Sequence, residues 1–290
     1  MTETRHKSCA CVKWLIVSGS VCLTLLVGLA TTGDPQRVFA SQRWGWSRMP
    51  PRFPQGVPDR RFTFARVMYE SVTREPRGQG WYTDYPSADR NFMIRLSELT
   101  TTRISQDRSE RPGHVVVRLM DDELFDYPFI FMSDVGTAGF STDEVVRLRA
   151  YLLKGGFLWV DDFWGPYAWE RWVGEISRVL PPSEHPIVDI PVTHPIFSGL
   201  HEVDRIPQIP SIRFWRMMGG RSTSERGAAS EEPHFRGIVD ADDRLLVVMS
   251  HNTDIADGWE REGEDYEFFY RFSVDAYAFG INVALHAMTH

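Results

Sequence analysis

Short apolar runs recur along this chain, and each is followed by an acidic break and then a segment of helical period. Val115 to Leu119, Phe129 to Met132 and Phe157 to Val160 are such runs, and Phe62 to Tyr69 is an earlier strand candidate. Phe92, Leu96 and Leu99 fall at i, i+4 and i+7 in a helix opened by Ser87. Ser141-Thr142-Asp143-Glu144 is a capping box for a helix that runs through Leu148 and Leu152 and stops at Gly155-Gly156. An aromatic helix follows from about Tyr167 to Val179. A strand that is apolar throughout has no face to give to water, so both its sides must be covered. Alternation with helices meets that need in one way above others: an α/β domain with a mainly parallel sheet and helices on both faces.

The later chain is less regular. Residues 221–235 read as a polar loop. Gly237 to Val239 and Leu245 to Met249 flank Asp240-Ala241-Asp242-Asp243-Arg244 as a C-terminal hairpin, and Tyr277, Ile281 and Leu285 mark a closing helix. The sequence has no internal repeat, no GxGxxG and no P-loop.

Charge and cysteine narrow the function classes. The 290 residues carry a net charge of −7. Residues 1–60, with 8 basic and 3 acidic side chains, carry +5, and residues 61–290 carry −12. No nucleic acid is expected as a partner, because phosphate backbones are bound by clustered positive charge. Cys9, Cys11 and Cys22 are the only cysteines. From residue 23 onward there is therefore no disulfide framework, no thiolate metal site and no cysteine nucleophile.

Arg5, Lys7 and Lys13 precede an apolar run from Trp14 to Ala30. That pattern reads residues 1–40 as a signal peptide or membrane anchor. Cleavage after Ala30 or Ala40 and retention as an anchor formed by residues 14–30 are both open. In either case the positive flank stays in the cytoplasm and the domain is sent outward. Residues 41–60, with Pro50, Pro51, Pro54 and Pro58, read as a Pro/Arg-rich linker, which leaves residues 61–290 as the folded domain.

Ligands of open α/β sheets bind beyond the carboxyl ends of the strands. Here those positions are acidic: Asp121 and Asp122, Asp134, Asp161 and Asp162, and Ser250-His251-Asn252 with Asp254. Asp84 lies in the loop after the first strand. Such a rim repels phosphates and suits a divalent cation or a ligand rich in hydroxyl donors, although an aspartate at a strand end can also simply cap the next helix. Asp161-Asp162-Phe163-Trp164-Gly165 occupies a sharp strand-to-helix turn of the kind that holds nucleophiles in several hydrolases. Asp161, Asp162 and His194 are the catalytic candidates. Trp81, Asp84, Asp89, Asn91, Trp164, His251, Asn252 and Asp254 are the candidate ligand contacts. Trp169 and Trp172, at i and i+3, read more simply as core.

FTFARVMY, WYTDYPSADRNFMIRL, MDDELFDYPFIFM, LRAYLLKGGFLWVDDFWG, RVLP, HPIF and NVALHAMTH occur in that order. In these pieces residues 61–289 resemble the bacterial domain of unknown function 4159. The resemblance implies a flavodoxin-like fold similar to class I glutamine amidotransferases and trehalose-utilisation proteins. It also implies a bacterial cell-envelope setting, because similar proteins often carry membrane segments and lie near envelope-associated ATPase and von Willebrand A-type genes. It implies no activity. Glutamine hydrolysis through a thioester needs a cysteine at the nucleophile turn, and this domain has none.

Two functions follow as expectations. The first is a binding module, exported or tethered in the envelope, that recognises a glycan or an envelope protein at the strand carboxyl edge. The alternative is a hydrolase acting on a sugar or polyol, metal-assisted if a divalent cation is its cofactor. Asp161 or Asp162 would then be base, nucleophile or ligand, and His194 or His251 acid or ligand.

Overall fold

The computed structural model describes residues 61–75, 78–107 and 110–290, so the expectations for residues 1–60 lie outside the described residues. Its strands are β1 (Phe64–Val67), β2 (Glu70–Ser71), β3 (His114–Val117), β4 (Phe129–Ser133), β5 (Ala138–Gly139), β6 (Phe157–Phe163), β7 (Ile187–Asp189), β8 (His234–Val239) and β9 (Leu245–His251). β2 and β5 pair antiparallel as a small separate ribbon. The other seven form one sheet in the order β3-β1-β4-β6-β9-β8-β7.

The five strands from β3 to β9 in that order are parallel, and β8 and β7 extend the sheet antiparallel. Counted among themselves, the parallel strands run 2-1-3-4-5, which is the flavodoxin-like order. The chain leaves β1 toward one edge and β4 toward the other, so the topological switch lies between those two strands. The expected hairpin is β8–β9. It is continuous with the sheet, because β9 also pairs with β6.

Period-2 alternation sends each strand's side chains into two cores. On one face Phe64, Phe131, Trp159 and Val248 pack under α1 (Ser87–Leu99) and the C-terminal helix. On the other, Val67, Met132, Val160 and Met249 pack under α2 (Thr142–Leu153) and α3 (Gly165–Val179). Ser141 and Glu144 form the reciprocal capping box at the start of α2. Ser87 does not cap α1: Pro86 is the preceding residue, and the first turn is bonded through the Asp84 carbonyl to the Ala88 N–H.

Two short helices, α4 (Ile212–Met217) and α5 (Asp257–Glu260), follow. The last helix starts as α6 (Tyr266–Phe268), passes through a π-helical turn (Phe269–Ser273) and ends as α7 (Val274–Thr289). The polar stretch before β8 is not featureless. A 3-10 turn at Gly227–Ser230 is closed by hydrogen bonding between the Ser224 and Ser230 hydroxyls. Among the described residues no helix is long and apolar enough to cross a membrane.

Candidate functional site

Three strand-end positions and one in the loop before α1 share an uncommon backbone. Asp84, Asp134, Asp162 and Asn252 have φ of 62°, 54°, 53° and 62°. They are four of the six non-glycine residues with left-handed backbone among those described. Asp and Asn enter this region at lower cost than other side chains because their short polar groups bond locally. Their gathering at one edge of the sheet marks that edge as the place where local strain is retained. At β6 the cause is visible: the pairing with β9 shifts register between Val160 and Phe163, and Asp162 sits in the bulge.

Three of these residues, Asp84, Asp134 and Asp162, line a cavity of about 360 Å³ at the switch between β1 and β4. Asp254, which follows β9, and Asp257, which opens α5, complete its acidic floor. Glu75, Glu225 and Glu260 bring the lining carboxylates to eight, against three arginines, Arg213, Arg226 and Arg261. Ile212, Phe214 and Met217 of α4 make an apolar wall, with Trp164 among the lining residues from the turn after β6.

Hydrogen bonds fix much of this lining. Trp164 Nε1 donates to Asp162 Oδ1 at 3.0 Å. The Gly80 N–H donates to Asp134 Oδ2. Glu75 is paired with Arg226 at 3.2 Å, and the Ser211 N–H donates to Glu225 Oε1 at 2.8 Å. The Asp257 N–H donates to Asp254 Oδ1 at 2.9 Å, which ties the two aspartates together across one helical turn.

The floor is poorly compensated. Asp84, Asp254 and Asp257 each place a carboxylate oxygen within 4.8 Å of the other two. Full charges at that separation repel by about 3 kcal/mol per pair at an effective dielectric near 20. Burial, reinforced by neighbouring carboxylates, holds all three well above the ordinary carboxylate range. Asp134 is pushed up to about 8 by burial and then by Asp162. Asp162 is pushed up to about 7 by burial, Glu225 and Glu75. Asp84 Oδ2 is buried and accepts no hydrogen bond.

Asp84, Asp162, Trp164 and Asp254 are thus brought together in one cavity. The other candidates have different work. Asp161 is fully buried behind the cavity, where its Oδ2 accepts from the Ala256 N–H at 3.0 Å and so holds the segment between Asp254 and Asp257. Asp89 is locked by Arg66 of β1, whose Nε and Nη2 both bond its carboxylate, and neither side chain is exposed. Asn91 Nδ2 donates to the Trp259 carbonyl at 2.7 Å, bracing α1 against α5. Trp81 packs into the core, and its carbonyl accepts from Arg66.

His251 is also structural. Its Nε2 donates to the Gly165 carbonyl at 3.1 Å, and Nδ1 accepts from Arg236 at 3.3 Å, an arrangement that suits the neutral ring. Burial lowers its pKa to about 4. Asn252 clamps the turn after β6, accepting from the Gly165 N–H at 2.7 Å and donating to the Glu232 carbonyl at 2.8 Å. His194 caps a 3-10 turn and packs on His286, which in turn packs on Phe157. Phe157 is the first residue of β6 and Asp162 is near its last, so His194 lies at the opposite end of the sheet. The aromatic crowding around residues 159–172 is mainly core, with Trp159 and Trp172 fully buried on opposite faces.

Asp134 belongs to the acidic strand ends but not to the candidate contacts, and Asp257, Glu75, Glu225 and Arg226 belong to neither. Of these four only Asp257 carries a local signal, its i, i+3 spacing from Asp254 after a strand.

A comparison with curated proteins finds no match. The family model for the Domain of unknown function (DUF4159) matches residues 63–288, and with it the whole sheet and every element of the pocket; the chain belongs to this family.

Proposed function

We propose that the domain binds a hydroxyl-rich ligand, such as the end of a glycan, in the acidic pocket. The carrying observation is the position of that pocket: a carboxylate-lined cavity at the topological switch, where open α/β sheets take their ligands. Its volume falls in the range of small-molecule sites. Carboxylates accept hydrogen bonds from hydroxyls, and Trp164 and Phe214 offer apolar surface to the carbon face of a ring. Residues 1–40 have the pattern of an export signal or anchor, so the proposed setting is the bacterial cell envelope, with an envelope glycan or protein as partner. A glutamine-amidotransferase-like ancestry belongs to the same proposal. The strand order and the left-handed turn at Asp162 support it, with an aspartate where such an enzyme needs cysteine.

Calorimetry and thermal-shift titration of the purified full chain with mono- and oligosaccharides test this reading. Saturable binding that weakens at least tenfold in Asp162→Asn is expected. Absence of any sugar response in the intact chain rejects it.

One observation favours a second reading, hydrolysis of a sugar or polyol. Asp162 combines a left-handed bulge near the end of β6, exposure to the cavity and a pKa near neutrality, which suits a general base. Turnover of a glycoside that falls at least a hundredfold in Asp162→Asn would establish it, and undiminished turnover in that variant would remove Asp162 from the chemistry.

A further inference from the structure

We propose that Asp84, Asp254 and Asp257 hold one divalent, oxygen-preferring cation of the Mg2+, Mn2+ or Ca2+ type at the floor of the pocket. The inference shares its pocket with the ligand reading and rests on that reading only for the ion's role, not for its binding.

Three arguments lead to the cation. The first is distance. One oxygen from each carboxylate lies within 4.8 Å of the other two. Ions with bonds of about 2.0–2.6 Å can bridge oxygens at separations of that size with little movement of the chain. The second is the unsatisfied acceptor. Asp84 is 8% exposed, lines the cavity, and its Oδ2 has no hydrogen-bond partner. Folding removes that oxygen from water and supplies no donor in exchange, an arrangement that native proteins keep mainly where a ligand or ion completes it. The third is chemical type. The set contains only carboxylate oxygens, with neither imidazole nor thiolate, which selects hard cations over zinc or copper.

The surrounding residues hold the three ligands in place as supporting partners hold a metal site. The Asp257 N–H bonds Asp254, Asp161 bonds the Ala256 N–H between them, and Asn91 bonds the Trp259 carbonyl just beyond. These contacts explain why a fully buried polar side chain, Asp161, lies behind an open cavity. The remaining coordination positions of the ion would face the cavity, open to water or to hydroxyls of a bound ligand.

The test uses the full chain stripped with chelator and then titrated with Mn2+ alone, followed by paramagnetic resonance of free Mn2+, with Mg2+ and Ca2+ compared by thermal shift. One saturable Mn2+ per chain is expected. Asp84→Asn and Asp257→Asn should each weaken it at least tenfold, and Asp122→Asn, whose carboxylate is 97% exposed, should leave it unchanged. Each Asn removes a repelling charge, so both variants should melt no lower than wild type in chelator at pH 8, which separates lost binding from lost folding. No saturable binding by the wild-type chain up to about 1 mM, the weak end of protein calcium sites, overturns the proposal whatever the variants do. Binding unaltered in both folded variants overturns it equally. Sugar titrations with and without chelator keep the two readings apart. A sugar response without any metal binding rejects the cation and keeps the ligand pocket, whereas metal binding without a sugar response does the reverse.

Discussion

Two groups of buried charge lie along the same connection after β1, and they are built in opposite ways. Asp89 meets Arg66 through two guanidinium nitrogens, and Arg66 spends a third nitrogen on the carbonyls of Trp81 and Thr83. Five residues earlier, Asp84 faces Asp254 and Asp257 with an oxygen that nothing satisfies. The first group is electrically closed and points into the fold. The second is open and points into a cavity. Burial alone therefore does not separate Asp89 from Asp84; the completeness of their partners does.

Breaking the closed group should have the largest effect. Asp89→Ala leaves the Arg66 guanidinium buried and unpaired, and a loss of about 3–5 kcal/mol is expected, read as a lower urea midpoint with an unchanged m-value. A much smaller loss would mean that water reaches Arg66 and that the two groups differ less than their geometry implies.

The open group should respond to pH. Asp134 and Asp162 keep their protons to about 8 and about 7, whereas in the unfolded chain they ionise near 4. Between those limits the folded chain binds more protons at these two sites, so their contribution to stability is complete below pH 4 and is lost as pH rises toward 8. In chelator a progressive loss of several kcal/mol is expected across that window, measured by denaturant midpoints. A flat profile would show the acidic rim to be compensated already.

His251 works against that trend over part of the range. It is held neutral, with a folded pKa of about 4 against an ordinary value of 6.5. Its contribution is complete above pH 6.5 and is lost as pH falls toward 4. Replacing it with Gln, which can still reach the Gly165 carbonyl, should remove that acid-side loss, seen as a steeper net fall in stability between pH 4 and 6.5.

Smaller effects sharpen the contrast further. At pH 8 in chelator, Asp257→Asn should stabilise the chain by about 1 kcal/mol, since it removes one of the crowded charges, and at pH 5 the two proteins should melt alike. Trp164→Phe removes the hydrogen bond to Asp162 and should cost about 0.5–1.5 kcal/mol.

Much of the fold was readable because its causes are local. The Ser141–Glu144 box needs only side chains three residues apart, and it forms as expected. The apolar runs at Phe129 and Phe157 have no face that tolerates water, so they became central strands. The acidic strand ends were equally visible, and Asp84, Asp162 and Asp254 do share one pocket. Asp89 looked no different from Asp84 in sequence, because its partner sits 23 residues away on β1. Ser87 looked like a cap, but the chain had already turned into the helix before its hydroxyl could serve.

The sequence by itself determined the layered architecture, the parallel core strands and the acidity of one sheet edge. These follow from hydrophobic period and from which residues end each run. It also excluded cysteine chemistry from residue 23 onward. Only the tertiary structure decided which aspartates meet. The strand order put the ends of β1, β4, β6 and β9 around one switch point, sent His194 to the far edge and gave Asp89 to Arg66. Pairing across a sheet depends on contacts between residues distant in the chain, and a carboxylate's role depends on what stands opposite it. Neither is written in the spacing of the residues themselves.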